Sequence, residues 1–232
     1  FYVNYAGSPS SADYQHSIVA CAEGLQKMNI PYHANVNYYM LKDGTYLFKE
    51  KKNINHDEYL FIITSYSCGI IEGKHPYPNK TSFIPKNVVL NKNRKYKTIM
   101  LDQSDGFMTY IKNANYYDYY FISSYHENII KTIGNNIYPM VFNSTNRIIE
   151  ATNNNNLFFN RKNFLLYSHR LTHPIRKYML DNIYSKFSKL ITQFNDNFNE
   201  PNKDNKDYLH WSQSGRRHNP IFYEELKNSK IV

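Results

Sequence analysis

The sequence predicts an α/β protein of two lobes, each built around a mostly parallel sheet. Three observations lead to this prediction. Apolar, β-prone runs alternate with helical segments, a strand–loop–helix–strand unit is complete by residue 41, and the same alternation restarts after a polar interval at residues 146–163. A chain of 232 residues is long enough to fill a core in each lobe.

The first unit opens with FYVNY (residues 1–5), an apolar run that predicts a short buried strand. Apolar residues then recur at helical spacing over residues 14–28, which predicts an amphipathic helix. Gly24 inside this helix predicts close packing against the sheet, because glycine is otherwise unfavourable there. YHANVNYYML (residues 32–41) is the predicted second strand and completes a βαβ unit.

Later runs rich in β-branched and aromatic residues predict the rest of the first sheet. Helices or long connections separate these runs, and the runs are apolar enough to be buried on both faces, so parallel pairing is expected. The predicted strands are EYLFIITSY (58–66), KTIMLDQSDG (97–106), YYDYYFISSY (116–125) and NIYPMVFNS (136–144).

The first lobe is therefore assigned to residues 1–145, and residues 146–163, polar and rich in asparagine, are interpreted as a linker. Residues 164–232 are the second lobe. Because the chain ends as a strand begins (KIV), this lobe is expected to be incomplete. Its predicted elements are a strand in NFLLYSHR, a helix in THPIRKYMLDNIYSKFSKL, a strand in LITQFND, a helix in PIFYEELKNS and the final strand.

The long helix of the second lobe carries an apolar stripe that is predicted to be buried. The stripe comprises Ile175, Tyr178, Met179, Ile183 and Phe187.

The net charge of +9 and the pI near 9.3 favour an anionic partner, such as nucleic acid, an acidic surface or a phosphorylated small molecule. The lysines are scattered, as in KEKKN (49–53) and NKNRKYK (91–97), and are not ranked along one helix. A nucleic-acid groove is therefore less favoured than a small anionic ligand.

The cysteines, the hydropathy and the absence of common motifs limit the cellular location and the types of reaction that are expected. Cys21 and Cys68 are the only cysteines, with no metal-ligand spacing and no disulfide framework, so a reducing, cytoplasmic location is expected. No apolar run approaches the ~18 residues of a membrane span. Dinucleotide, Walker A, G-x-S-x-G and H-E-x-x-H motifs are also absent.

The loop YAGSPSSADYQHS, between the first strand and helix, is the first candidate site. Ligands of open parallel sheets meet such loops at the carboxyl ends of strands. Either His16 or Asp13 acts on a substrate hydroxyl as a base, or these side chains only cap the helix and bond locally. Gly7, Ser8 and Gln15 are the residues expected to bind the substrate in this loop.

The segment Asp102-Gln-Ser-Asp105-Gly is a second candidate. Its two carboxylates, three residues apart after a strand, are suited either to binding a metal or to polarising a hydroxyl, and Asp105 is a third candidate base. The alternative interpretation is an ordinary Asp-Gly turn.

Two basic segments of the second lobe form the third candidate. One is Ser168-His169-Arg170, after a predicted strand, and the other is Gly215-Arg216-Arg217-His218, before the last helix. By chain order both fall at the ligand-facing edge of the second sheet, where guanidinium groups are able to grip a diphosphate bidentately. The alternative is a pair of solvated basic loops.

SGRRHNPIFYEELKNSKIV resembles a second-domain segment of exostosin-like and related two-domain (GT-B) glycosyltransferases. YVNYAGSPSSADYQHSIVACAEGL and NIYPMVFNSTNRI are similar to the first-domain start and the interdomain crossover of this broad group. The matching residues of the first-named segment are Arg216, Arg217, Tyr223, Leu226, Ser229 and Lys230.

The resemblance implies two Rossmann-like lobes and transfer of a sugar from a nucleotide-sugar co-substrate to an acceptor hydroxyl, without a bound metal or other cofactor. It implies that Arg170, Arg216 and Arg217 contact the donor phosphates, with Tyr223 and Glu224 near the nucleoside or sugar. The donor-binding loop expected after KIV is missing from the sequence. The alternatives are a non-enzymatic module that binds an anionic or sugar ligand, and a basic nucleic-acid-binding protein.

Overall fold

The computed structural model describes residues 1–3, 15–65, 84–103, 111–130, 133–141, 144–153, 160–167, 174–193 and 220–231. The described residues up to Asn146 belong to one compact unit (unit 1), and those from Arg147 belong to a second (unit 2).

Unit 1 is an α/β unit with helices on both faces of a parallel sheet. Its helices are α1 (His16–Lys27), α2 (Lys86–Leu90) and α3 (Glu127–Ile130), with 3₁₀ helices at His56–Glu58 and Ile111–Tyr116. Its strands are β1 (Tyr38–Met40), β2 (Tyr46–Phe48), β3 (Phe61–Ser65), β4 (Lys97–Asp102), β5 (Tyr119–Ile122) and β6 (Ile137–Pro139).

Strands β3 to β6 form one parallel sheet in the order β3-β4-β5-β6. The prediction of an α/β fold with parallel strands is confirmed for this unit. Side chains alternate along each strand, so Met100 and Tyr120 enter a core with α2 and α3, whereas Leu101 enters a second core with α1 and β2. Burial on both faces explains why these strands are almost continuously apolar.

Residues 1–3 lie beside β3. The Tyr2 amide donates to the Ile63 carbonyl at 2.9 Å, and a parallel bridge joins Tyr2 to Thr64. On their other side, the Asn35 amide donates to the Phe1 carbonyl at 3.1 Å. Residues 1–3 therefore lie between residues 33–35 and β3.

The predicted second strand (32–41) requires a correction. Only Tyr38–Met40 forms a strand, and it pairs antiparallel with β2, outside the parallel sheet. Asp43-Gly44 turns the chain, because Gly44 adopts a φ of +82° and the Asp43 carboxylate accepts from the Thr45 amide at 2.9 Å. An Asp-Gly pair between two β-prone runs is a hairpin signal.

Helix α1 is confirmed at His16–Lys27, within a turn of the predicted bounds. The expectation that Gly24 allows close packing is wrong, because a Cβ placed there meets no atom within 4 Å. The helix packs instead through Ile18, Val19 and Ala22.

Unit 2 is built on a second parallel sheet. Its strands are β7 (Asn163–Tyr167), β8 (Ile191–Gln193) and β9 (Ser229–Ile231), in the order β8-β7-β9. Its helices are α5 (Pro174–Asn182) and α6 (Pro220–Lys227), with a 3₁₀ helix at Tyr184–Leu190. Helix α4 (Asn146–Thr152) begins at the last described residue of unit 1 and lies in the interval interpreted as a linker.

The apolar stripe predicted to be buried in unit 2 is largely exposed. Ile175, Tyr178 and Phe187 are 61%, 59% and 51% exposed. Helix α5 packs on the 3₁₀ helix that follows it, which leaves much of its apolar face outward. Helical spacing shows that one face is apolar, but it does not show what covers that face.

Asp118 joins the amino ends of β4 and β5. Its Oδ2 atom accepts from the Thr98 amide at 2.8 Å and forms an ion pair with Arg94 at 2.8 Å. Partial burial acts to raise the pKa of Asp118, but the hydrogen bonds from Arg94 and Thr98 outweigh it and lower the pKa from 3.8 to about 2.

A folded-state pKa below the unfolded value means that Asp118 stabilises unit 1 above pH 3.8, and that this contribution is lost as the pH falls towards 2. We expect Asp118→Asn to remove about 1–2 kcal/mol at pH 7 and to flatten the acid dependence of stability between these pH values. Urea unfolding at a series of pH values measures both effects. An acid slope equal to that of the unmodified protein would contradict this role.

Candidate functional site

The carboxyl edge of the unit 1 sheet is where the amino terminus of α1 meets the end of β4. The Ser17 amide, in the first turn of α1, donates to the Gln103 Oε1 atom at 3.0 Å in a buried contact. Gln103 directly follows β4 and is 8% exposed. This edge is the usual ligand position in open parallel sheets, and a helix amino terminus there favours negative or polar ligand atoms.

A cavity of ≈ 280 Å³ opens between α1 and the ends of three strands. Its lining residues are Ser17, Ala20, Cys21, Leu101, Phe121 and Met140. The Ser17 side chain is fully buried, and its Oγ atom has no hydrogen-bond partner among the described residues. Buried hydroxyls are normally satisfied, so Ser17 Oγ is an unsatisfied polar atom among the residues that line this cavity.

Cys21 contributes a thiol to the same wall. It is a free cysteine, and burial raises the pKa of its thiol above the ordinary value. The group is therefore protonated at neutral pH and is a poor nucleophile. Cys21 therefore contributes apolar surface to the cavity wall.

Asp102 and Tyr120 form a buried pair on the sheet face opposite the cavity wall. The Tyr120 hydroxyl donates to the Asp102 Oδ2 atom. Tyr120 is 0% exposed and Asp102 is 1% exposed. The Asp102 carbonyl also accepts from the Ser123 amide at 3.0 Å. Asp102 thus links β4 to β5. Its carboxyl group makes a structural contact and does not face a ligand at the sheet edge.

Two of the predicted first-lobe residues lie at this edge. Gln15 is fully buried immediately before α1, and His16, half-buried, is the first residue of the helix. In unit 2, Tyr223 is 6% exposed on α6, and Glu224 is exposed and forms an ion pair with Lys227 at 3.7 Å.

The other predicted site residues lie outside the part of the chain that the structure describes. They are Gly7, Ser8, Asp13, Asp105, Ser168, His169, Arg170, Gly215, Arg216 and Arg217.

Ser17 and Gln103 are site residues that the sequence interpretation missed. Ser17 follows His16 directly, so its place in the first turn of the predicted helix was a usable signal. Gln103 lies inside the Asp102–Gly106 segment, where only the carboxylates were predicted to act.

Within the described ranges, no three His, Cys, Asp or Glu side chains gather closely enough to hold a metal ion. None of the helices in those ranges has both the length and the apolar character needed to cross a membrane. The chain matches no protein-family model, no curated protein and no solved structure.

Proposed function

We propose that the chain is a metal-independent glycosyltransferase that moves a sugar from a nucleotide-sugar donor to an acceptor hydroxyl. The observation that carries the proposal is the cavity at the carboxyl edge of unit 1, with the buried Ser17 hydroxyl on its wall. The similarity of three sequence segments to GT-B glycosyltransferases supplies the reaction class.

Unit 1 takes the acceptor in this proposal. The amide dipoles at the start of α1 and the Ser17 hydroxyl are suited to a polyhydroxylated molecule, and Leu101 and Phe121 supply apolar contact. His16 begins the same helix and is the first candidate for the base, with Asp13 and Asp105 as the other two. Gly7, Ser8 and Gln15 complete the acceptor side.

The second lobe of the sequence interpretation, residues 164–232, takes the donor in this proposal. Arg170 comes three residues after β7, the central strand of its parallel sheet, and Arg217 comes three residues before α6. The end of a central parallel strand and the start of a helix are both favourable positions for phosphate. Arg170, Arg216 and Arg217 therefore bind the diphosphate, with Ser168, His169 and Gly215 in the same segments and Tyr223 and Glu224 on α6.

The reaction breaks the bond between the sugar anomeric carbon and the diphosphate oxygen. A new bond forms between that carbon and the acceptor oxygen, whose proton passes to the base. The leaving nucleoside diphosphate keeps the electron pair of the broken bond, and the guanidinium groups stabilise its charge.

The test is calorimetric binding of nucleoside diphosphates to the unmodified chain and to the Arg216→Ala, Arg217→Ala double variant. We expect the double variant to bind more weakly by about 2 kcal/mol, or roughly 30-fold in Kd, as expected for charge-assisted hydrogen bonds. Release of diphosphate from a nucleotide sugar, measured with an acceptor panel, separates transfer from binding alone.

The matched control is Lys186→Ala, Lys189→Ala, which removes two positive charges from exposed positions of unit 2. If both double variants bound the nucleoside diphosphate equally weakly, the loss of net positive charge alone would explain the result. Unchanged binding in a folded arginine variant would exclude the proposed diphosphate site. Bound nucleotide sugar that is never turned over would instead support the non-enzymatic alternative.

A further inference from the structure

A second and larger cavity of unit 1 lies at the amino-terminal end of β3, whereas the Ser17 cavity lies at the carboxyl edge of the sheet. Its volume is ≈ 520 Å³, and its walls come from the end of α1 and the segment that follows, the 3₁₀ helix at His56–Glu58 and the first residues of β3. A cavity of this volume is large enough for a small organic ligand. Its aliphatic lining residues are Leu25, Ile30, Pro31, Ile54, Leu60 and Ile63.

The tyrosine hydroxyls of the wall already have partners in the protein. The Tyr2 Oη and His56 Nε2 atoms are 2.7 Å apart, and Tyr59 Oη lies 3.1 Å from the His33 Nδ1 atom. The Tyr32 hydroxyl donates to a main-chain carbonyl, that of Leu47, at 3.0 Å. Whichever atom of each tyrosine–histidine pair donates, all three hydroxyls are bonded before a ligand enters.

The wall also carries charged groups, and these are paired as well. The Glu58 Oε2 atom lies 3.7 Å from Lys51 Nζ, its Oε1 atom accepts from the Asn55 side-chain amide at 3.3 Å, and the Glu58 side chain is 58% exposed to solvent. The Phe1 amino group donates to the His33 carbonyl at 2.7 Å. A charged ligand would give up its hydration and compete with these partners, whereas an apolar ligand would do neither.

Aromatic rings make up a large part of the same wall. The Phe1 and Tyr32 centroids are 5.2 Å apart with the rings at 86°, and the Tyr2 ring is stacked on His56 at 5.9 Å and 15°. A wall with many rings favours an aromatic ligand, because stacked and edge-to-face contacts add to the burial of apolar area. The aromatic lining residues are Phe1, Tyr2, Tyr32, Tyr59 and Phe61.

Some of the apolar lining residues are left in contact with solvent. Leu60, Phe61 and Ile30 are 79%, 48% and 45% exposed. Large apolar side chains grouped around one cavity indicate a surface used for binding.

We propose that this cavity binds an uncharged aromatic small molecule, held by ring contacts and burial of apolar area. Its polar and charged groups are bonded within the protein, so the surface left for a ligand is aromatic and aliphatic. The site is independent of the proposed sugar transfer, because none of its lining residues belongs to the Ser17 cavity.

The first experiment titrates the full chain with fluorescent probes that share one ring system, namely ethylnaphthalene, naphthylacetate and naphthylmethylammonium. We expect the neutral probe to bind at least about 10-fold more tightly than either charged probe, because the paired groups of the wall do not replace the hydration that a charge loses. Decalin, the saturated bicyclic hydrocarbon, should compete with ethylnaphthalene about 3-fold less well than naphthalene does, because it cannot stack on the rings.

The second experiment places the site by substitution. Ile30→Lys should weaken ethylnaphthalene binding at least about 10-fold and narrow its advantage over naphthylacetate, because an ammonium group then enters the wall. Leu60→Lys, at a more exposed lining position, should act in the same direction and takes its place if circular dichroism shows that Ile30→Lys is unfolded. Val141→Lys, at a 78% exposed position that does not line the cavity, is the matched control and should leave every affinity unchanged.

The proposal would be overturned if ethylnaphthalene did not bind or if a charged probe bound as tightly. It would also be overturned if decalin competed as well as naphthalene, or if the lysine variants of the wall and the Val141→Lys control had equal effects.

Discussion

Replacement of Phe48 by alanine is expected to lower the free energy of unfolding of unit 1 by about 3–5 kcal/mol, the range for truncating a buried phenylalanine. Phe48 is the last residue of β2 and is fully buried. Its ring centroid lies 5.4 Å from that of Phe1 and 5.8 Å from that of Tyr38. The cavity left by alanine therefore removes aromatic contacts on two sides as well as the transfer free energy of the ring.

Hydrogen exchange of unit 1 peptides in increasing urea measures this loss locally, without assuming that the two units unfold together. Phe48→Leu, which keeps most of the volume, should cost less than about 1.5 kcal/mol. Phe61→Ala, at a 48% exposed position, is the control for loss of a phenylalanine in itself and should cost less than Phe48→Ala. Equal costs for the two alanine variants would mean that the hairpin does not close the core.

The parallel sheet of unit 1 could be predicted because its signal is local. Most residues of FIITS and KTIMLD are apolar or β-branched, as expected of strands that are buried on both faces. The amphipathic spacing of α1 was equally explicit, and Ile18, Val19 and Ala22 do enter the core.

The antiparallel hairpin was missed because strand propensity does not specify a partner. YYM and YLF are β-prone in either sheet, and the turn at Asp43-Gly44 decides the pairing. Because β2 pairs with β1, Phe48 lies in the core that also contains residues of α1. The expected effect of Phe48→Ala depends on this position.

The exposed stripe of α5 and the cavity beside Ser17 were beyond sequence reasoning for a related reason. Helical period reports that Ile175 and Tyr178 share a face, but their 61% and 59% exposure depends on what packs there. The role of Ser17 likewise depends on Leu101 and Phe121, which come from distant strands. Contacts between elements, rather than within them, were the missing information.

Replacement of Tyr120 by phenylalanine is the second large effect, with an expected loss of about 2–3 kcal/mol, as for a charged group deprived of a buried hydrogen bond. Tyr120 on β5 donates a hydrogen bond to Asp102 on the neighbouring strand β4, and Asp102 is 1% exposed. Phenylalanine keeps the ring in the core but removes the hydroxyl that donates to the carboxylate. The loss of unfolding free energy therefore measures the missing hydrogen bond to Asp102 and not a change in core packing.

Tyr119→Phe is the matched control for Tyr120→Phe, because it removes a hydroxyl from the preceding residue of the same strand, which is 36% exposed. We expect that control to change stability by no more than about 0.5 kcal/mol. Asp102→Asn combined with Tyr120→Phe completes a double-mutant cycle, and the pair should show a coupling of about 1–3 kcal/mol. Additive losses would show that the carboxylate does not depend on this hydroxyl. Strong coupling would instead show that the hydrogen bond between Tyr120 and Asp102 stabilises the pairing of β4 and β5, on the sheet face opposite the Ser17 cavity.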